Sequence, residues 1–167
     1  MSGTNGLMPQ APDDPNAHLL QRGQARVGGA GRMLPTLVAI DDEVEFTKTI
    51  HQFFSARGYE VHIALTGTSG LELVELHKPH VVLVDLKLPG MDGDELLRRI
   101  HQHQPATPVI VITAYNDGGK TRDRLLASGA FAHFDKPLSS LRDLAEAVKR
   151  ALLETNGPTP LHAGDRS

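Results

Sequence analysis

The amino-acid sequence predicts an α/β fold, a five-stranded parallel sheet with helices on both faces. Three observations predict it. Strand-like and helix-like segments alternate five times between Thr36 and Glu154, the pattern of successive βα units. Three of the strand segments, Leu37-Val38-Ala39-Ile40, Val81-Val82-Leu83-Val84 and Val109-Ile110-Val111-Ile112, are apolar throughout, as strands buried on both faces are. The first two run into acidic residues and the third into Thr113, so polar chemistry collects where the apolar runs stop.

Residues 1–35 are rich in Gly, Pro, Gln and Asn and can bury little apolar surface, so a disordered leader is expected there. Met33 stands just before the globular part and is a candidate natural start, which the intact mass of the native protein would decide. The expected domain is residues 36–154. Its first strand ends at Asp41-Asp42-Glu43. Phe46, Ile50, Phe53 and Phe54 follow on one face at helical period. Asp42 is a good N-cap type for that helix, and Gly58 a good stop.

Tyr59-Glu60-Val61-His62-Ile63-Ala64 alternates instead of running apolar, as an edge strand does. Thr68-Ser69-Gly70 opens a second helix with Leu71, Leu73 and Val74 turned inward, and His77-Lys78-Pro79 closes it. The strand Val81–Val84 delivers Asp85 into a loop containing Pro89 and Gly90. A third helix over 93–104 carries Leu96, Leu97 and Ile100, with Asp92, Asp94 and Glu95 at its positive end. After the strand ending at Thr113, a fourth helix is expected from Asp117, carrying Leu125 and Leu126, with Gly129 as stop. Gly118-Gly119 in its first turn weakens it, and a mobile start is expected. Ala130-Phe131-Ala132-His133-Phe134 reads as a fifth, edge strand leading to Asp135-Lys136-Pro137. The last helix, 139–154, places Leu141, Leu144, Ala145, Val148 and Leu152 on one face. Residues 155–167 read as a flexible tail.

With the alternating strands at the edges and right-handed crossovers, the strand order is 2-1-3-4-5, a flavodoxin-like doubly wound (βα)5 arrangement. Ligands bind such sheets outside the carboxyl ends of the strands, where the order reverses. Asp41, Asp42, Asp85, Thr113 and Lys136 all fall on that rim. Each alone has a bland reading, as turn residue, strand filler or solvated Lys. Together they make a site. Carboxylates crowded together repel one another unless a cation sits among them. An all-oxygen set suits Mg²⁺. A nearby ammonium and hydroxyl complete a socket for a phosphoryl group, with Asp85 as nucleophile.

Composition narrows the alternatives. The 167-residue chain is 40% hydrophobic with a formal net charge of −3, which gives no electrostatic case for direct nucleic-acid binding. It contains no Cys, so disulfides, thiol catalysis and Cys-ligated clusters are excluded. No apolar run is long enough for a membrane span and no secretory h-region is present, so a cytoplasmic location without membrane partners is expected. His101 and His103 lie two apart on a helix and face different directions. Gly67-Thr68-Ser69-Gly70 lacks the Lys of a phosphate loop.

At Ile40-Asp41-Asp42-Glu43, Val84-Asp85 with Leu88-Pro89-Gly90-Met91-Asp92-Gly93, Ile112-Thr113-Ala114 and Asp135-Lys136-Pro137, the chain resembles a response-regulator receiver domain of two-component signalling. The resemblance spans about residues 37–153. It implies a single-domain, chemotaxis-regulator-like phosphoacceptor rather than an enzyme. Asp85 would take a phosphoryl group from a sensor histidine kinase or phosphotransfer protein. Asp42, Asp85 and the Lys87 carbonyl would bind Mg²⁺ directly and Asp41 through water, while Thr113 and Lys136 would hold phosphoryl oxygens. The Lys136-Pro137 bond is often cis in such domains. The output would be a switch at Thr113 and an aromatic on the fifth strand, remodelling the helix 4–strand 5–helix 5 surface for an unknown downstream protein or a homodimer. That aromatic position is His133 here, so the switch departs from the family's Tyr or Phe. Tyr115 is placed to tune access of water to the phosphate. Two alternatives stand beside this reading. One is a metal-dependent phosphatase, although the second acid it needs two residues after Asp85 is replaced by Lys87. The other is a receiver-fold binding module that is not phosphorylated.

Overall fold

The computed structural model of the chain describes residues 27–28 and 32–155. Strands β1 (Thr36–Ile40), β2 (Glu60–Ala64), β3 (Val81–Val84), β4 (Val109–Thr113) and β5 (Ala132–Asp135) alternate with helices α1 (Val44–Ser55), α2 (Gly67–His77), α3 (Gly93–His103), α4 (Lys120–Ala127) and α5 (Leu141–Thr155). The sheet is parallel, with order β2-β1-β3-β4-β5. This is the doubly wound order expected from the apolar and alternating strands. Every residue of β1, β3 and β4 is buried, whereas β2 and β5 are mostly half-buried.

Because neighbouring residues of a strand point to opposite faces, the central strands feed two cores. Val38, Ile40, Val82, Val84, Val109 and Val111 pack with Val74 of α2, Leu96, Leu97 and Ile100 of α3 and Leu125 of α4. Leu37, Ala39, Val81, Leu83, Ile110 and Ile112 pack with Ile50 and Phe54 of α1 and Leu144 and Val148 of α5. Helix α2 approaches the sheet through Gly70, where an added Cβ would run into the side chain of Ile40.

Several local expectations are corrected. Asp42 does not cap α1. The N-cap position is Glu43, which makes no side-chain cap bond, and Asp41 instead accepts the Glu43 N–H through Oδ1 at 2.9 Å. Helix α4 begins at Lys120 rather than Asp117, because Gly118 and Gly119 both adopt left-handed backbone (φ 74° and 94°) and lie outside it. Asp117 then reaches forward, accepting the Thr121 N–H at 2.9 Å and the Thr121 hydroxyl at 2.7 Å. Of the two leucines on α4, Leu125 is buried and Leu126 is exposed. Strand β5 starts at Ala132, and α5 at Leu141, where Ser140 Oγ accepts from the Arg142 and Asp143 amides.

The expected leader lies mostly outside the described residues. Within it, Val27-Gly28 pairs antiparallel with Arg32-Met33. The tail after Thr155 also lies outside them. Among the described residues no helix is long and apolar enough to cross a membrane.

Candidate functional site

Asp41, Asp85 and Lys136 each sit one residue past the end of their strand, and Thr113 is the last residue of its own. Asp41 donates its N–H to Ala64 O at 3.0 Å, Asp85 to Ile40 O at 2.9 Å and Lys136 to Thr113 O at 2.9 Å. The backbones are held by sheet hydrogen bonds, so the side chains project from a rigid rim. Asp41, Asp85 and Thr113 are buried, whereas Asp42 is exposed.

Lys136 binds the acidic tips together. Its Nζ donates to Asp41 Oδ2 at 2.6 Å, to Glu43 Oε1 at 2.9 Å and to Asp85 Oδ2 at 3.2 Å. It also lies 4.5 Å above the centre of the Phe46 ring. The Lys136 side chain is only 7% exposed, so these contacts act with little screening. Burial pushes its ammonium toward neutrality, but the hydrogen bonds to Asp41 and Glu43 and the charges of Asp41 and Asp85 outweigh that. The net result is an ammonium held well above the usual lysine range. Burial pushes the Asp41 carboxyl up, against the lowering pull of Lys136 and the Glu43 amide. We take the Lys136–Asp41 pair as ionised, because a 2.6 Å ammonium–carboxylate contact supplies what burial removes.

One ammonium does not balance the acids around it. Asp41, Asp42 and Asp85 each offer a carboxylate oxygen within 4.8 Å of the others, and Glu43 adds a further charge. This all-oxygen, net-negative donor set fits a hard divalent cation.

Asp85 Oδ1 accepts the Lys87 N–H at 3.2 Å, leaving Oδ2 toward Lys136. Lys87-Leu88 and Met91-Asp92 form a two-residue antiparallel ladder. It is closed by Pro89-Gly90, with Gly90 at φ 76°, the left-handed backbone a type II turn requires at its third residue. The loop is pinned at Gly93, whose N–H donates to Leu86 O at 3.1 Å. An added Cβ there would sit 2.5 Å from Leu86 Cα. Leu86 directly follows Asp85, so Gly93→Ala is expected to cost about 1–3 kcal/mol and to displace the loop that orients the carboxylate. Urea unfolding measures the first effect, and wild-type stability would refute it.

The Thr113 hydroxyl accepts the Tyr115 N–H at 3.2 Å, and the Tyr115 ring lies 5.0 Å from Lys87 Nζ. The structure thus brings Asp41, Asp42, Asp85 and Lys136 into one cluster and places Thr113 on the adjoining strand end. The Lys136-Pro137 bond is cis. Two contributors escaped sequence reasoning, Glu43 and Phe46. Glu43 lay in plain view beside Asp41 and Asp42, but only the approach of Lys136 reveals its partner.

A family model of the response regulator receiver domain matches residues 37–149. The chain belongs to the response regulator receiver family. As a receiver domain it is similar to the sporulation initiation phosphotransferase F of Bacillus subtilis (strain 168), 32% identical over 116 residues that make up 70% of this chain and 92% of that protein. It is also similar to the regulatory protein AtoC of Escherichia coli (strain K12), 36% identical over 116 residues, which cover 70% of this chain but 25% of that protein. The chain spans about half the length of the mycobacterial response regulators MprA that it matches, 52%. Among solved structures, a CheY-like receiver domain protein from Methanospirillum hungatei JF-1 superposes with a TM-score of 0.68 at 34% identity, covering 73% of this chain and 96% of that one. Receiver domains bind Mg²⁺ at an acidic pocket, and this receiver has an acidic cluster at Asp41, Asp42 and Asp85.

His133 lies on β5 opposite Val111, with its side chain 6% exposed and Nε2 4.0 Å from Asp135 Oδ1. That nitrogen has no hydrogen-bond partner among the described residues. A buried unpaired polar group costs about 1–3 kcal/mol. His133→Phe is therefore expected to raise unfolding stability by about 1 kcal/mol. A thermal or urea midpoint at or below wild type would contradict that.

Proposed function

We propose that this receiver is a phosphoacceptor whose Asp85 takes a phosphoryl group from the phosphohistidine of a sensor kinase or phosphotransfer protein. The observation that carries the reading is Lys136 Nζ, 3.2 Å from Asp85 Oδ2 and 2.6 Å from Asp41 Oδ2 across 51 and 95 residues of sequence. An ammonium held beside the accepting oxygen is where a phosphoryl oxygen needs a counter-charge.

In the transfer, an Asp85 carboxylate oxygen bonds to phosphorus as the donor's phosphorus–nitrogen bond breaks and the imidazole departs with the electron pair. Lys136 exchanges its carboxylate contacts for a phosphoryl oxygen. Thr113 turns its hydroxyl to a second one, giving up the Tyr115 N–H. Asp41, Asp42, Asp85 and the Lys87 carbonyl would hold Mg²⁺, which supplies charge neutralisation when bound. Movement of Thr113 alters the adjoining α4–β5–α5 surface, the proposed output face for a downstream protein or a second copy. His133, at the position where the family carries an aromatic, starts buried, so any inward rotation of the usual kind is already complete.

Beryllofluoride with Mg²⁺ tests the reading. One equivalent should bind per chain, with NMR shifts concentrated at Asp85, Thr113 and Lys136. No binding would sink the proposal, and turnover of a free phosphomonoester would favour a phosphatase instead.

A further inference from the structure

A second cluster of ligating side chains lies at the opposite end of the sheet. Strand alternation puts Glu60, His62 and Ala64 on the face of β2 turned toward α2, where Ala64 joins the core with Val74. On α2, Gly70, Val74 and His77 recur at i, i+4 and i+7, so His77 extends the helix's sheet-facing stripe past its last apolar member. The result is a polar convergence at the lower rim of the core. His62 Nε2 lies 3.0 Å from Glu60 Oε1. The His62 and His77 rings stack with centroids 3.6 Å apart and planes 16° from parallel. One ligand atom from each of the three residues falls within 4.8 Å of the other two.

We propose that Glu60, His62 and His77 form a binding site for a divalent transition-metal ion, zinc in particular. Two imidazoles and one carboxylate are a borderline-soft donor set that suits zinc and leaves a fourth position for water or a ligand. Bonds of about 2.1 Å set tetrahedral ligand atoms about 3.4 Å apart, so the cluster needs only side-chain rotation to close on an ion. An edge strand is also protected by inward-pointing charge, but one charged residue achieves that. Protection alone does not call for an imidazole from a separate helix stacked on the strand's own.

The site differs in chemistry and place from the acidic pocket. Glu60 pairs with Thr36 at the first rung of the β1–β2 ladder, whereas Asp41 follows the last. Four residues of strand, about 13 Å, separate the two ends. Mg²⁺ prefers carboxylate and phosphate oxygens and competes poorly for imidazole. A bound ion ties the sheet edge to the end of α2, so it acts on stability at a distance from Asp85. The inference rests on no part of the phosphoacceptor reading.

The test is titration of Zn²⁺ into the full chain with Mg²⁺ in excess, followed by imidazole NMR and by competition with a chromophoric chelator. One ion should bind with a Kd of about 10 µM or tighter, the His62 and His77 ring signals should shift first, and the melting temperature should rise. His62→Gln and His77→Gln should each weaken binding at least about tenfold, and Asp85→Asn should leave it unchanged. Binding weaker than about 100 µM, first shifts at other histidines, or unaltered affinity in His77→Gln overturns the proposal. If either variant fails to fold, the order of wild-type ring shifts decides the matter alone.

Discussion

Asp85→Asn is expected to abolish phosphoryl uptake, lowering its rate by at least about a thousandfold, or about 4 kcal/mol of barrier. The reason is chemical rather than structural. Asn keeps an oxygen for the Lys87 N–H that Asp85 Oδ1 accepts at 3.2 Å, but an amide oxygen is a poor nucleophile and forms no stable acyl phosphate. The substitution also removes one negative charge from a site with more carboxylates than ammonium groups. Stability should therefore stay within about 1 kcal/mol of wild type. Labelling by a small-molecule phosphodonor, read by intact mass, makes the measurement. A variant that labels like wild type would move the acceptor to another residue.

Lys136→Met should have the largest effect on stability. The ammonium is the only hydrogen-bonded cation that the described residues supply to Asp41 and Asp85, whose side chains are 4% and 7% exposed. Removing one partner of a buried ion pair costs about 3–5 kcal/mol, and that loss is expected in urea unfolding without divalent cations. Added Mg²⁺ should restore part of it by supplying another counter-charge. The pH dependence has a definite sign. Burial already raises the Asp41 carboxyl in the wild type, and loss of Lys136 removes the pull that opposes it. A carboxyl raised in the folded state destabilises fully above its folded pKa and not at all below its unfolded one. The deficit should thus shrink as pH falls through the carboxylate range. Beryllofluoride binding should weaken as well. A variant as stable as wild type at neutral pH in the absence of Mg²⁺ would show that Lys136 is not what holds the acids together.

Much of this was readable from residues. Val81–Val84 and Val109–Ile112 are apolar without interruption because both faces of those strands are covered, and the structure buries every one of them. The alternation in 59–64 marked an edge because β2 is the terminal strand of the sheet and stays mostly half-buried. From those two patterns came the strand order, and from the order the meeting of Asp41, Asp42, Asp85 and Lys136. Local ends were read less well. Asp42 is as good a cap as any by type, but Glu43 takes the N-cap position and makes no side-chain cap bond. By type Gly118 and Gly119 read as weak helix residues, whereas both take left-handed backbone outside α4.

Sequence alone determined the layering, the rim and the identity of the acidic cluster, because burial and strand polarity are written in hydrophobic period and in where that period stops. Tertiary structure alone decided which charges touch. It put Lys136 on Glu43 as well as on Asp41 and Asp85, buried His133, and stacked His62 on His77. Those contacts depend on how a strand and a helix far apart in the chain pack, and spacing along the sequence carries no distance across a core.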